Sequence, residues 1–161
     1  MTTRPVVIVR AHERGKPAAR PPATPAPLAS PAPSASERRP HTFLVVDDSA
    51  VHLNLLARQL QSGLGCHVVQ ADGVETAIAY LLTARPDVMM VDLMMPELSG
   101  MDLFAALQAA RPEQARRIIF VTAGGFTPKA RAFLAEAHAP CIEKPVSIPA
   151  LLAAIDAVAP G

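Results

Sequence analysis

From His41 onward, apolar runs alternate with helical apolar stripes five times. The runs are Phe43-Leu44-Val45-Val46, Cys66-His67-Val68-Val69, Val88-Met89-Met90-Val91, Ile118-Ile119-Phe120-Val121 and a short Cys141-Ile142. The first, third and fourth are apolar throughout, as strands buried on both faces are. The second alternates less cleanly and is expected at a sheet edge. Between the runs, apolar residues recur at i, i+3, i+4 and i+7. Leu53, Leu56, Ala57 and Leu60 form one stripe, Val74, Ala77, Ile78 and Leu81 a second, and Leu103, Ala106, Leu107 and Ala110 a third. A fourth helix is announced by Thr127-Pro128, a cap followed by proline in the first turn, and carries Ala130, Phe133, Leu134 and Ala137. A fifth follows Ser147-Ile148-Pro149 and carries Leu151, Ile155 and Val158. This alternation predicts an α/β domain, a doubly wound five-stranded parallel sheet with five helices on its two sides.

Composition divides the chain of 161 residues at the start of that pattern. Residues 1–40 hold nine of the 17 prolines and seven Lys/Arg against two Asp/Glu, a local net charge of +5. Residues 41–161 hold eight against twelve, a net of −4. The stretch from Lys16 to Pro40 is dominated by Ala, Pro and Ser and has nothing larger than Leu28 for a core. The expectation is a disordered, semi-extended basic tail over 1–40 joined to a folded domain over 41–161. Val6-Val7-Ile8-Val9 can add a strand to a partner, but is read here as a frayed apolar patch. With neither aromatics nor a recognisable fold in the tail, a nucleic-acid partner is not expected.

Several classes fall away. The apolar runs are far shorter than the ~18–20 residues of a membrane span, and the amino terminus lacks a secretory h-region. Cys66 and Cys141 match no metal spacing and no disulfide scaffold. A soluble cytoplasmic protein with no membrane partner is expected.

In a doubly wound sheet, functional groups gather at the carboxyl ends of the strands. Asp47 and Asp48 follow the first strand and Asp92 the third. Thr122 follows the fourth, and Glu143-Lys144-Pro145 the fifth. Each has a plain alternative: Asp48 as a helix N-cap, Thr122 as a last strand residue, Lys144 as a solvated lysine. Met89, Met90, Met94 and Met95 read as adaptable packing. Together, three acids, a hydroxyl and an amine converge on one edge. Carboxylates ~5 Å apart repel by roughly 3 kcal/mol per pair at an effective dielectric of about 20. A hard divalent cation relieves that conflict, and Mg2+ suits such an oxygen-rich, open site. Metal, hydroxyl and ammonium are the positive partners that a transferring phosphoryl group needs.

The stretches FLVVDDSA (43–50), VMMVDLMMPELSG (88–100), FVTAGG (120–125) and EKP (143–145) resemble the receiver domain of two-component response regulators, over essentially all of residues 42–158. The order from Asp48 to Asp92, Thr122 and Lys144, at spacings of 44, 30 and 22 positions, makes the likeness specific. The resemblance implies the flavodoxin-like strand order 2-1-3-4-5, for which a member of this family is a standard example. It makes Asp92 the phosphoacceptor. It has Asp48 bind Mg2+ directly, Asp47 through water, and the backbone carbonyl of Met94 complete the protein ligands. Thr122 and Lys144 would contact the phosphoryl group, the Lys144-Pro145 bond would be cis, and Gly100 would permit the turn opening the third helix. It also implies a phosphohistidine donor on a sensor histidine kinase or a histidine phosphotransfer protein, with His52 and Asn54 facing it, and a downstream protein target. On this reading the domain modifies itself and is not a conventional enzyme. The chain ends at Gly161 after the last helix, so no output domain is expected there. The segment GGFTPKARAFLAEAHAPCIEKPV is similar to carboxyl-terminal receiver domains of hybrid histidine kinases.

Two competing functions are weaker. A haloacid-dehalogenase-type phosphatase needs a second acid two residues beyond its nucleophile, and counting from Asp47 that position is Ser49. A non-phosphorylated docking scaffold needs none of the acids, Thr122 or Lys144. A dinucleotide site fails for want of a Gly-rich turn after the first strand.

Two departures from the family pattern bear on output and lifetime. Cys141 stands where the family places an aromatic switch residue; it is read as filling an apolar gap rather than as a redox sensor. Met94 and Gly124 occupy positions where polar side chains of the family influence attack of water on the phosphoryl group. Slow self-dephosphorylation is therefore expected. Loss of label from the purified phosphorylated protein in Mg2+ buffer checks it, and a half-life of seconds would contradict it.

Overall fold

The computed structural model describes residues 7–9 and 42–158. Its strands are β1 (Val7–Val9), β2 (Thr42–Val46), β3 (His67–Ala71), β4 (Val88–Asp92), β5 (Ile118–Thr122) and β6 (Cys141–Glu143). Its helices are α1 (Ala50–Leu64), α2 (Val74–Leu81), α3 (Gly100–Ala110), α4 (Pro112–Ala115), α5 (Pro128–Ala137) and α6 (Ile148–Val158). All strands pair in parallel, in the order β1-β3-β2-β4-β5-β6. The five strands of the βα units thus follow the expected 2-1-3-4-5 arrangement.

The continuous apolar runs lie where burial on both faces requires them. Every residue of β4 and β5 is buried. One face of the sheet packs on α2, α3, α4 and α5 through Val74, Leu81, Leu103, Leu107, Ala115 and Ala130. The other packs on α1 and α6 through Leu53, Ala57, Leu60, Leu151, Ile155 and Val158. Phe104, Phe120 and Phe133 meet on the first face with ring centroids 5.4–5.9 Å apart, two of the three pairs edge-on, the arrangement that the ring quadrupole favours.

Two expectations are corrected. First, the second βα strand is not at an edge, because Val7–Val9 pairs outside it, Val9 opposite Ala71. Those three residues belong to the sheet and not to a frayed patch; the rest of the 1–40 segment lies outside the described residues. Second, there are six helices among the described residues. Pro112 ends α3 by forcing the preceding Arg111 out of the helical region (φ −149°, ψ 70°) and then starts the one-turn α4. The N-cap of α1 is Ser49, whose hydroxyl accepts from His52 N–H at 3.4 Å, so the plain alternative for Asp48, a helix cap, does not hold. α1 closes on Gly65 at φ 64°, whose N–H donates to the Gln61 carbonyl at 2.9 Å.

The start of α3 is fixed twice over. Ser99 and Asp102 form a reciprocal capping box, and the Ser99 N–H and hydroxyl hold the Asp102 carboxyl below its ordinary range. Gly100 is needed for clearance rather than for φ freedom. A Cβ there would fall well inside contact distance of the Asp92 backbone carbonyl and 3.0 Å from Val91 Cγ1. Gly100→Ala is expected to cost about 1–3 kcal/mol, as overpacking against backbone does, read as a lower urea midpoint at unchanged slope.

Candidate functional site

Register brings the chemistry together. Val46 of β2 lies opposite Val91 of β4, so Asp47 and Asp92, the next residues along, leave neighbouring strands at the same end. Asp92 in turn pairs with Val121 and Thr122 with Glu143, which sets Thr122 and Lys144 at that end too. Lys144 N–H donates to the Thr122 carbonyl at 2.7 Å, tying the two loops. The Lys144–Pro145 bond is cis.

The Lys144 ammonium bridges two buried carboxylates. Its Nζ donates to Asp47 Oδ2 at 2.7 Å and Asp92 Oδ2 at 2.9 Å, and lies 3.0 Å from His52 Nδ1. The remaining oxygens are held by backbone: Ser49 N–H donates to Asp47 Oδ1 at 2.8 Å, and Met94 N–H to Asp92 Oδ1 at 3.0 Å. Both carboxylate planes are therefore fixed by charge-assisted bonds. Burial alone would lower the Lys144 pKa, but the two carboxylates outweigh it and hold the ammonium above its ordinary range. Burial pushes Asp92 the other way, above the ordinary carboxylate range. Lys144 and the Met94 N–H pull it back only in part, and the Asp47 charge adds to the rise. The asymmetry has a simple cause: Lys144 has two anionic partners, whereas Asp92 shares its one cation.

One oxygen each of Asp47 and Asp92 and a ring nitrogen of His52 lie within 4.8 Å of one another. Two hard oxygen donors at that separation fit a divalent cation. Asp48 is exposed and lies outside this group. The expected crowding of three carboxylates is thus a crowding of two, with Asp47 rather than Asp48 turned inward. His52, expected to face a partner, also contacts the pocket; its place one helical turn beyond the acidic pair was the only available signal. Asn54 is exposed.

Thr122 is buried, and its hydroxyl oxygen accepts from Gly124 N–H at 3.3 Å, leaving its proton to donate elsewhere. Met94 points its side chain outward, 48% exposed. Gly124 and Gly125 have φ of 89° and 70°. Cys141 is half-buried against the phenylalanine layer, and burial pushes its thiol up to about 11. A thiol so rarely ionised is a poor nucleophile, which suits packing and not redox sensing.

A protein-family model described as the response regulator receiver domain matches residues 43–156. The chain is 36% identical over 118 residues to the transcriptional regulatory protein GlrR of Escherichia coli K12, covering 73% of this chain and 26% of GlrR. It is 35% identical over 113 residues to the virulence sensor protein BvgS of Bordetella pertussis, covering 67% of this chain and 9% of BvgS. The chain thus spans about a quarter or less of these relatives. Among solved structures, a response regulator receiver protein from Pseudomonas putida superposes with a TM-score of 0.63 at 32% identity, covering 73% of this chain and 97% of that one.

The raised Asp92 pKa has a stability consequence in metal-free buffer. Unfolded, Asp92 ionises near its ordinary 3.8; folded, it keeps its proton to higher pH. Between the two values the folded state binds more protons, so unfolding free energy declines as pH rises through that interval. Urea unfolding across the acidic range should show this decline, and Asp92→Asn should remove it.

Proposed function

The chain belongs to the response regulator receiver domain family of two-component signalling, and from that premise we propose that it takes a phosphoryl group from a phosphohistidine onto Asp92. The observation that supports this reading is the single ammonium, Lys144 Nζ, held 2.7 Å from Asp47 and 2.9 Å from Asp92 at the carboxyl end of the sheet. In the transfer, a carboxylate oxygen of Asp92 forms a P–O bond as the P–N bond to the donor imidazole breaks, and the imidazole leaves with its electron pair. Lys144, already between the two acids, follows the negative charge onto the phosphoryl oxygens. Thr122 donates its free hydroxyl proton to another of them. Met94 N–H keeps the Asp92 carboxylate from rotating away from the incoming phosphorus.

Mg2+ would be held by Asp47 and Asp92, which offer oxygens within 4.8 Å of one another, together with the backbone carbonyl of Met94 and, once its exposed side chain turns inward, Asp48; it would neutralise charge on the phosphoryl oxygens. The donor is a sensor histidine kinase or a histidine phosphotransfer protein. Val51 and Leu55, one turn apart on α1 and 73% and 62% exposed, flank His52 at the mouth of the pocket. They offer an apolar strip to a helical partner. Signalling onward is by protein contact. Phosphorylation biases two packings of the β5–α5 region, with Thr122 leaving the Gly124 N–H as the local change. Cys141, lacking a ring, takes part in this switch only as a packed side chain.

Intact-mass measurement after incubation with Mg2+ and a small-molecule phosphodonor should show the gain of one phosphoryl group. Asp92→Asn should abolish the gain, and Lys144→Met should slow its appearance about 10²-fold, the scale of losing one preorganised charge-stabilising donor. No gain in the unaltered protein would favour a docking scaffold instead.

A further inference from the structure

The outer edge of β3 is where the chain departs from a sheet of five strands. Val7, Ile8 and Val9 pair in parallel with Val69, Gln70 and Ala71. On its other side, β3 pairs with β2 through the same three residues, Leu44, Val45 and Val46 lying opposite them. The Ala71 carbonyl then accepts the Asp47 N–H at 3.2 Å, one step beyond the last paired rung. Ala71 therefore sits between Val9 and the backbone of the carboxylate that holds Lys144.

The connection does not impose this pairing. Returning from the end of β1 to the start of β2 means crossing two strand spacings and one strand length, roughly 20 Å, which about seven extended residues cover. The chain supplies 32, residues 10–41. A connection of that length does not by itself hold the strand against β3. The pairing rests on the segment's own character. Val6-Val7-Ile8-Val9 is the longest run of β-branched residues in the first 40, with Arg4-Pro5 before it and Arg10 after it. Such residues favour strand, and flanking charge and proline stop a further chain from adding outside it.

We propose that the β3 edge is a strand-docking site for a short β-branched segment, that the chain's own residues 7–9 are its occupant, and that docking positions Asp47 by steadying Ala71. The docked strand lies outside the pocket and bears on it only through the Asp47 backbone, and its test needs neither phosphodonor nor Mg2+. Because consecutive strand residues point their N–H groups to opposite sides, Val7→Pro together with Ile8→Pro removes one donor facing β3 whichever way the strand is turned. Amide hydrogen exchange on the full chain should then show the Asp47 N–H exchanging at least about tenfold faster, the signature of local opening, with the β5 amides unchanged. Unchanged Asp47 exchange would overturn the proposal. Protection at Asp47 that grows with protein concentration, accompanied by a dimer mass, would overturn it in favour of a second copy's segment. Should the proline pair weaken β5 protection as well, Ile8→Gly, which keeps every N–H, is read by the same criteria.

Discussion

Two carboxylates at the ends of adjacent parallel strands are a liability unless something positive lies between them. Asp47 and Asp92 approach within 4.8 Å, where their repulsion is roughly 3 kcal/mol at an effective dielectric of about 20. Lys144 supplies the compensation from the far side of the sheet, across β5. The arrangement is self-consistent only as a triad. Remove the ammonium and two half-desolvated anions face each other; remove one acid and the lysine loses the second partner that keeps it charged despite burial. The register of four strands is what brings the three together, so the geometry of the sheet and the charge state of the pocket are one problem.

The strands were legible because burial on both faces leaves no room for polar residues, and β4 and β5 show this most plainly. Asp92, Thr122 and Lys144 were legible because a strand's end marks itself where an apolar run stops. What sequence could not resolve was direction. Asp47 and Asp48 are adjacent and chemically identical, and which turns inward depends on the Ser49 N–H that captures Asp47. Gly100 looked like a turn residue, but its need comes from the Asp92 carbonyl, a neighbour eight positions away. α4 is a single turn and carries no periodicity. β1 is three residues long, and its partner lies 62 positions along the chain at matched rungs; non-local pairing of so short a run leaves no local signal.

The family relationship and the physical reading meet at Thr122 and Cys141. The hydroxyl that would reach toward a phosphoryl group instead accepts a backbone N–H two residues ahead, a weak local bond that costs little to give up. The Cys141 thiol lies opposite Phe120 in the register and beside a closed set of three phenylalanine rings. A small, un-ionised side chain there lets those rings stay packed whichever way the threonine turns. On the proposed phosphorylation of Asp92, motion would fall in the β5–α5 loop more than in a swinging side chain.

Gly124 gives that loop a further property. At φ 89° it already favours a residue without a side chain, and the space a Cβ would take is filled by Glu143, whose Oε1 lies 2.6 Å from that point. That carboxylate is the far end of an exposed, flexible side chain and can swing aside, so the left-handed backbone is the stricter of the two constraints. Asparagine is the polar side chain that visits this region most readily, so a lineage adding a polar group at 124 has few residues to draw on. What position 124 can become is thus narrowed by the loop's own backbone more than by its neighbours.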